Sequence, residues 1–187
     1  MMWVEFLFRD QRMRPIFIIG FSGVGKTTIG HRLANALELD FIDTDTFLQA
    51  RYQSTISQMF AACGIEKFRK RERAALIELV HRQDTVISTG GGLVTHEDNL
   101  DLLLRAGTVL YLSASPEVLA ERLYLVRETR PLVAGKTREE LSAYVRDTLP
   151  AREQYYTRAH HTIDADTMVT PEDEQAIVRE IIRVLQL

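Results

Sequence analysis

Short apolar runs alternate along this chain with longer stretches in which apolar residues return every three or four positions. The first pattern suits strands covered on both faces, and the second suits helices with one covered face. "PIFIIG" (15–20) predicts a first strand and "KTTIGHRLANALEL" (26–39) the helix after it. "DFIDTD" (40–45) predicts a second strand and "ISQMFAACG" (56–64) a short helix. "IEKFRKRERAALIELVHRQ" (65–83) predicts a long helix with Ile65, Phe68, Ala75, Leu76 and Leu79 on one face. "DTVISTGGG" (84–92) runs from strand into glycines, and "HEDNLDLLLRAG" (96–107) is a helix with a glycine stop. "TVLYLSAS" (108–115) is a strand, and "SPEVLAERL" (115–123) opens a helix with a serine cap and Pro116 at its first position. Residues 124–138 are polar, arginine-rich and weakly periodic. "REELSAYVRDTL" (138–149) is helical, "HHTIDA" (160–165) is a last strand, and "PEDEQAIVREIIRVLQL" (171–187) is a closing helix.

This alternation predicts an α/β fold: a three-layer sandwich with a central parallel sheet of about five strands between helices. Ligands of such sheets bind beyond the carboxyl ends of the strands. Gly20, Asp43 to Asp45, Gly90 to Gly92 and Ser113 to Ser115 fall at those ends. The length of 187 residues suits one domain. Met13 stands just before the first strand, so 1–12 reads as an extension without an assigned role and 13–187 as the domain.

The net charge of −3 gives no reason to expect nucleic acid or an anionic membrane as partner. No apolar run is long enough to span a bilayer, and the N-terminus lacks the order of a secretory signal. The expectation is a cytoplasmic monomer. Cys63, the only cysteine, stands beside Ala61 and Ala62 and reads as a small packed residue.

"GFSGVGKT" (20–27) follows a strand and opens a helix. It satisfies the G-x-x-x-x-G-K-[ST] pattern, in which backbone N–H groups and a helix N-terminus cradle phosphate oxygens. Lys26 reaches the β- and γ-phosphates in such a loop, and the Thr27 hydroxyl ligates Mg²⁺. This reads as a nucleoside triphosphate site. No Asn-Lys-x-Asp guanine signature accompanies it.

A kinase needs in addition a metal partner, an acceptor cradle and a cover that excludes water. Asp43 and Asp45 lie two apart at a predicted strand end, so both can face one cleft. Alone they would read as a solvated strand end. Arg69 and Glu72 share a helix face and would alone read as a surface ion pair. Gly90 to Gly92 allow close backbone approach to a ligand, or make a flexible turn.

In order, "GFSGVGKTT", "DTD", "EKFRKRE", "GGG", "RPLV" and an Arg/Tyr segment before "IDA" resemble the shikimate kinase family over nearly the whole chain after Met13. The resemblance implies a P-loop NTPase fold of the nucleoside-monophosphate-kinase type with a mobile lid near 123–138. It implies ATP-dependent phosphorylation of the 3-hydroxyl of shikimate, a step of chorismate and aromatic amino acid biosynthesis. ATP and shikimate are then the partners and Mg²⁺ the cofactor. Gly23, Val24, Gly25, Lys26, Thr27 and Thr28 form the nucleotide loop, with Arg122 and Pro171 beside the adenine. Asp43 holds the Mg²⁺ shell through water, with Thr27 on the metal and Ser88 assisting. Asp45 receives the reacting hydroxyl, Arg69 pairs with the carboxylate, and Glu72 steadies Arg69. Phe60 and Phe68 wall the ring, Gly90, Gly91 and Gly92 contact it through backbone, and Arg130 reaches the phosphates from the lid. Lys26, Asp45 and Arg130 form the catalytic group.

One departure concerns the second carboxylate arginine, which the family places in Arg-x-x-x-Tyr-x-x-x-Ala. "PAREQYYTRAHHTIDA" gives Arg152 and Tyr156, but Ala159 comes one residue early. Pro150 is expected to kink or begin the helix here. Arg152 is the choice over Arg158, which falls too close to the last strand. Two alternatives stand beside this reading. A kinase for another polyol acid, such as gluconate, is disfavoured by "GGG" and the Phe60/Arg69 spacing. A non-catalytic nucleotide module is disfavoured because Lys26, Thr27, Asp43 and Asp45 are all present.

Overall fold

The computed structural model describes residues 12–130 and 132–187. The extension expected at 1–12 lies outside the described residues except for Arg12, as does Pro131 of the "RPLV" run. The backbone of Met13 exchanges hydrogen bonds with Asp84, its N–H reaching Oδ1 at 2.8 Å and its carbonyl accepting from the Asp84 N–H at 2.9 Å.

Five parallel strands form one sheet in the order β2-β3-β1-β4-β5. These are β1 (Ile16–Ile19), β2 (Asp40–Asp43), β3 (Thr85–Ser88), β4 (Thr108–Ser113) and β5 (His161–Asp164). β1 is central, and Ile16 stands in register with Val86 on one side and Thr108 on the other. Burial on both faces matches the apolar run of β1 and the Val86–Ile87 pair of β3, while the edge strands β2 and β5 carry exposed Asp40, Thr162 and Asp164. The helices are α1 (Lys26–Leu37), α2 (Thr44–Tyr52), α3 (Ile56–Leu79), α4 (Asn99–Ala106), α5 (Pro116–Val126), α6 (Arg138–Tyr156) and α7 (Pro171–Leu185). α1 packs on α7 and α5 on α6 against the sheet, around a core that includes Phe17, Ile29, Leu33, Leu76, Leu110 and Ile181. A smaller cluster, Leu48, Met59, Phe68 and Ala75, ties α2 to α3. No described helix is long and apolar enough to cross a membrane.

Three local expectations give way. The second strand ends at Asp43, and Asp45 lies in the first turn of α2, a helix the apolar pattern did not announce. Asp43 is its N-cap, accepting from the N–H groups of Asp45 at 2.9 Å and Thr46 at 3.2 Å. A short acidic side chain that takes up orphan helix donors turns extended chain into helix within one residue. The long helix ends at Leu79, not at 83, and is broken at Gly64 (φ 72°, ψ 171°). That break rotates Ile65 off the covered face, leaving it 46% exposed, whereas Phe68, Ala75, Leu76 and Leu79 are buried. Finally, α6 runs through Pro150 to Tyr156. The proline removes one ladder donor, but Leu141, Val145, Leu149 and Tyr156 bury one continuous stripe across it.

The break in α3 makes two sites on that helix behave differently. Leu76→Ala should lose about 2–5 kcal/mol of unfolding free energy in urea titration, whereas Ile65→Ala should stay within about 0.5 kcal/mol. Equal losses would contradict the rotated register after Gly64.

Candidate active site

The phosphate loop joins the end of β1 to α1. Gly25 is the N-cap of α1 at φ 106°, a conformation that side-chain-bearing residues rarely adopt. No side chain caps α1 and no acidic residue stands in its first turn. Its first N–H groups and the positive end of its dipole are therefore left to an anion. The Lys26 ammonium donates to the carbonyls of Gly20 at 2.9 Å and Phe21 at 2.8 Å. Burial, followed by the nearby Arg130 charge, pulls its pKa down to about 7. Val24 behaves differently from its neighbours. Its side chain is buried in the core and its N–H turns to the Phe21 carbonyl at 3.3 Å, so it shapes the loop from inside. A cleft of about 690 Å³ opens above the loop, lined by Gly23, Gly25, Lys26, Thr27 and Thr28 on one side and by Asp43, Asp45, Gly91 and Arg130 on the other.

Asp43 divides its two oxygens. Oδ1 caps α2, and Oδ2 accepts from the Thr27 hydroxyl at 2.8 Å. Asp45, in the first turn of α2, pairs through Oδ2 with Arg130 at 3.1 Å. Burial, and then the Asp43 charge, raises the Asp45 pKa, with Arg130 and Lys26 opposing. Ser88 does not join this group. Its buried hydroxyl donates to the Lys26 carbonyl at 2.8 Å.

Beyond Asp45 lies a second, smaller cavity. Phe60 and Phe68, either side of the Gly64 break, bring their ring centroids to 4.3 Å and form one wall. Arg69 and Glu72 form an ion pair one turn apart on α3. Glu72 is 3% exposed, and burial pushes its carboxyl up to about 7 against the pull of Arg69. Gly92 lets the Arg69 guanidinium lie on the backbone, because an added Cβ would stand 2.8 Å from its Nη2. Arg152 lies over the Phe21 ring at 4.8 Å, with Nη2 3.4 Å from the Tyr144 hydroxyl, and lines the same cavity. Arg158 instead pairs with Asp101 on the surface. The segment after α5 covers this cavity: Val133 is buried beneath it and Arg130 reaches down to Asp45. Arg130 lines both cavities. Arg69 Nε and Arg130 Nε are buried without a hydrogen-bond partner among the described residues.

Arg122 and Pro171 lie apart from these walls. The Arg122 guanidinium donates to the carbonyls of Val24 (3.4 Å), Ala165 (2.8 Å), Asp166 (3.1 Å) and Met168 (2.7 Å), clasping the loop after β5 to the phosphate loop. Pro171 opens α7 and is exposed. Sequence reasoning passed over Thr44 and Tyr144, and named Tyr156 only as a motif mark with no role of its own. Thr44 is buried and its Oγ1 accepts from the Gly90 N–H at 2.9 Å. The one signal for Thr44 was its place between the two aspartates; Tyr144 stands two helical turns before Arg152, a spacing no motif marked.

These cavities sit in a chain with clear relatives. A family model described as shikimate kinase matches residues 22–186. A shikimate kinase of Parabacteroides distasonis is 41% identical over 173 residues, 92% of this chain and all of that relative. The crystal structure of shikimate kinase from Bacteroides thetaiotaomicron superposes with a TM-score of 0.90 at 33% identity, covering 95% of this chain and all of that one. Shikimate kinase from Acinetobacter baumannii, solved in complex with shikimate, gives a TM-score of 0.81 at 31% identity over 93% of this chain and 94% of that one. The chain belongs to the shikimate kinase family.

Proposed function

We propose that this chain transfers the γ-phosphate of ATP to the 3-hydroxyl of shikimate, giving shikimate 3-phosphate and ADP for aromatic amino acid biosynthesis. One observation carries the reading. The phosphate loop and a cavity holding Arg69 and Arg152 meet at Asp45, and two buried guanidinium N–H donors there await anionic partners. Shikimate is a small carboxylate with three hydroxyls on a carbocycle. Arg69 and Arg152 grip its carboxylate, since guanidinium forks suit carboxylate oxygens. Phe60 and Phe68 hold the ring, and the backbone of Gly90, Gly91 and Gly92 closes around it.

Phosphoryl transfer passes through a loose transition state, so alignment and charge neutralisation dominate. Asp45 accepts the hydrogen bond of the reacting hydroxyl and takes its proton late. Its raised pKa suits a carboxylate to that task. Lys26 and Arg130 meet the charge that develops on the transferring group. Gly23, Gly25 and Thr28 hold the phosphate chain through backbone donors, Val24 shapes their loop, and Arg122 and Pro171 border the base. The Thr27 hydroxyl and Asp43 Oδ2, 2.8 Å apart at the cleft, fit a hard cation held mainly by phosphate oxygens and water. Mg²⁺ bound there would neutralise the β- and γ-phosphates. The segment 123–138 acts as a mobile lid that closes over both substrates and excludes water. The enzyme works as a cytoplasmic monomer without nucleic acid or membrane partners.

Lys26→Ala and Asp45→Ala should each abolish ADP formation in a coupled assay; normal turnover in Asp45→Ala would remove it as acceptor of the hydroxyl proton. Arg69→Ala and Arg152→Ala should each raise the KM for shikimate about 10- to 100-fold, the range of a lost charge-assisted hydrogen bond. A panel of hydroxy acids including gluconate tests the acceptor, and preference for gluconate would displace shikimate. Nucleotide binding should also be linked to protonation. Lys26 titrates near 7 in the free enzyme, and a triphosphate favours its ammonium form. Calorimetry in buffers of different ionisation heat should therefore show uptake of up to about one proton at pH 8, fading by pH 6. No uptake at pH 8 would mean that Lys26 is already charged.

A further inference from the structure

Resting on that reading, we propose that the Tyr156 hydroxyl is a positioning residue for shikimate, holding the glycine loop against the phosphate loop. The loop needs an outside support. The β3 segment makes its last sheet-type bond at the Thr89 N–H, to the Ile18 carbonyl at 3.1 Å. Beyond it the backbone leaves the sheet; the Thr95 hydroxyl holds the Gly92 carbonyl locally at 2.9 Å, and two side chains grip the loop from other elements. Thr44 on α2 accepts from the Gly90 N–H at 2.9 Å. Tyr156 on α6 donates to the Gly91 carbonyl.

The grip at Gly91 sits at the seam between the two substrates. An added Cβ on Gly91 would stand 2.9 Å from the Ser22 nitrogen of the phosphate loop. On the next residue, Gly92, it would stand 2.8 Å from Arg69 Nη2. A displaced Gly91 carbonyl therefore moves the backbone on which Arg69 rests. The phosphate loop has independent anchors, with the Lys26 ammonium on the Gly20 and Phe21 carbonyls and the Val24 N–H on the Phe21 carbonyl. Loss of the Tyr156 grip should accordingly fall on shikimate and not on ATP.

Tyr156 is built for this. It is 0% exposed, and its ring stacks on Tyr111 with centroids 5.1 Å apart, so the hydroxyl has a fixed direction. Burial pushes its pKa up to about 12, with Arg152 opposing, so it remains a donor at any working pH. It stands one turn after Arg152, so a single helix aims a cavity arginine and anchors the glycine loop.

Tyr156→Phe keeps the ring and deletes only the donor. Tyr111→Phe is the matched control, since it removes the hydroxyl of the stacked partner, which faces Glu153 Oε1 at 3.4 Å outside the site. With purified full-length protein, Tyr156→Phe should raise both the KM and the calorimetric Kd for shikimate about 5- to 20-fold, the range for leaving a buried carbonyl unpaired. The KM for ATP should change less than about 2-fold, and Tyr111→Phe should leave all three within about 2-fold. A merely structural hydroxyl would lower the melting temperature of Tyr156→Phe and leave the shikimate constants in place, which would overturn the proposal. Equal shikimate effects in both variants, or an equal effect on ATP, would overturn it as well. A wild-type chain that turns over no shikimate would sink the functional reading itself, whereas an active wild type with an unaffected Tyr156→Phe sinks only the positioning role.

Discussion

The hydrogen bonds of Asp43 are the constraint on which the site depends. Oδ1 caps α2 and thereby sets where Asp45 stands, while Oδ2 holds the Thr27 hydroxyl at the mouth of the phosphate loop. The same carboxylate thus fixes both the start of α2, which carries Asp45, and the Thr27 hydroxyl at the start of α1. Its position follows from pairing along the sheet, where Asp43 stands in register with Ser88 and Ser88 in turn bonds the Lys26 carbonyl. The ends of three strands are locked together before any ligand arrives. Such preorganisation matters most for a reaction in which the protein contributes alignment and charge.

Charge balance explains why the site is tense without ligands. Lys26 and Arg130 lie close enough for Arg130 to depress the lysine, and Arg152 adds to this. Asp45 and Glu72 are both pushed toward their neutral forms by burial. The pairs Arg130–Asp45 and Arg69–Glu72 relieve part of the strain but leave the Nε of each arginine unmatched. Buried unpaired donors are costly, so these two groups are the least satisfied side-chain atoms among the described residues of the site.

Much of this was legible in the residues. Short runs such as that of β1, alternating with helical patterns, announced a sheet covered on both faces, and the glycine-lysine-threonine turn after the first run announced a phosphate loop. The helix through Pro150 was misread because a proline rule is local, whereas the stripe from Leu141 to Tyr156 is held by what it packs against. Ile65 was misplaced because periodicity counts through Gly64 as if the helix were unbroken. The two candidate arginines differ in direction. Arg152 faces the cavity beside Tyr144, and Arg158 faces outward to Asp101.

The residues alone were enough for the five strands, for every long helix but α2, for the phosphate loop and for the chemical types gathered at the strand ends, because these follow from local periodicity and short-range steric rules. Only the tertiary structure decided that Asp45 sits on a helix turn, that Ser88 serves the backbone, and that Thr44 and Tyr156 hold the glycine loop. Each contact of Ser88, Thr44 and Tyr156 joins elements far apart in the chain. Its geometry is set by how helices seat on the sheet, and no spacing within one segment encodes it.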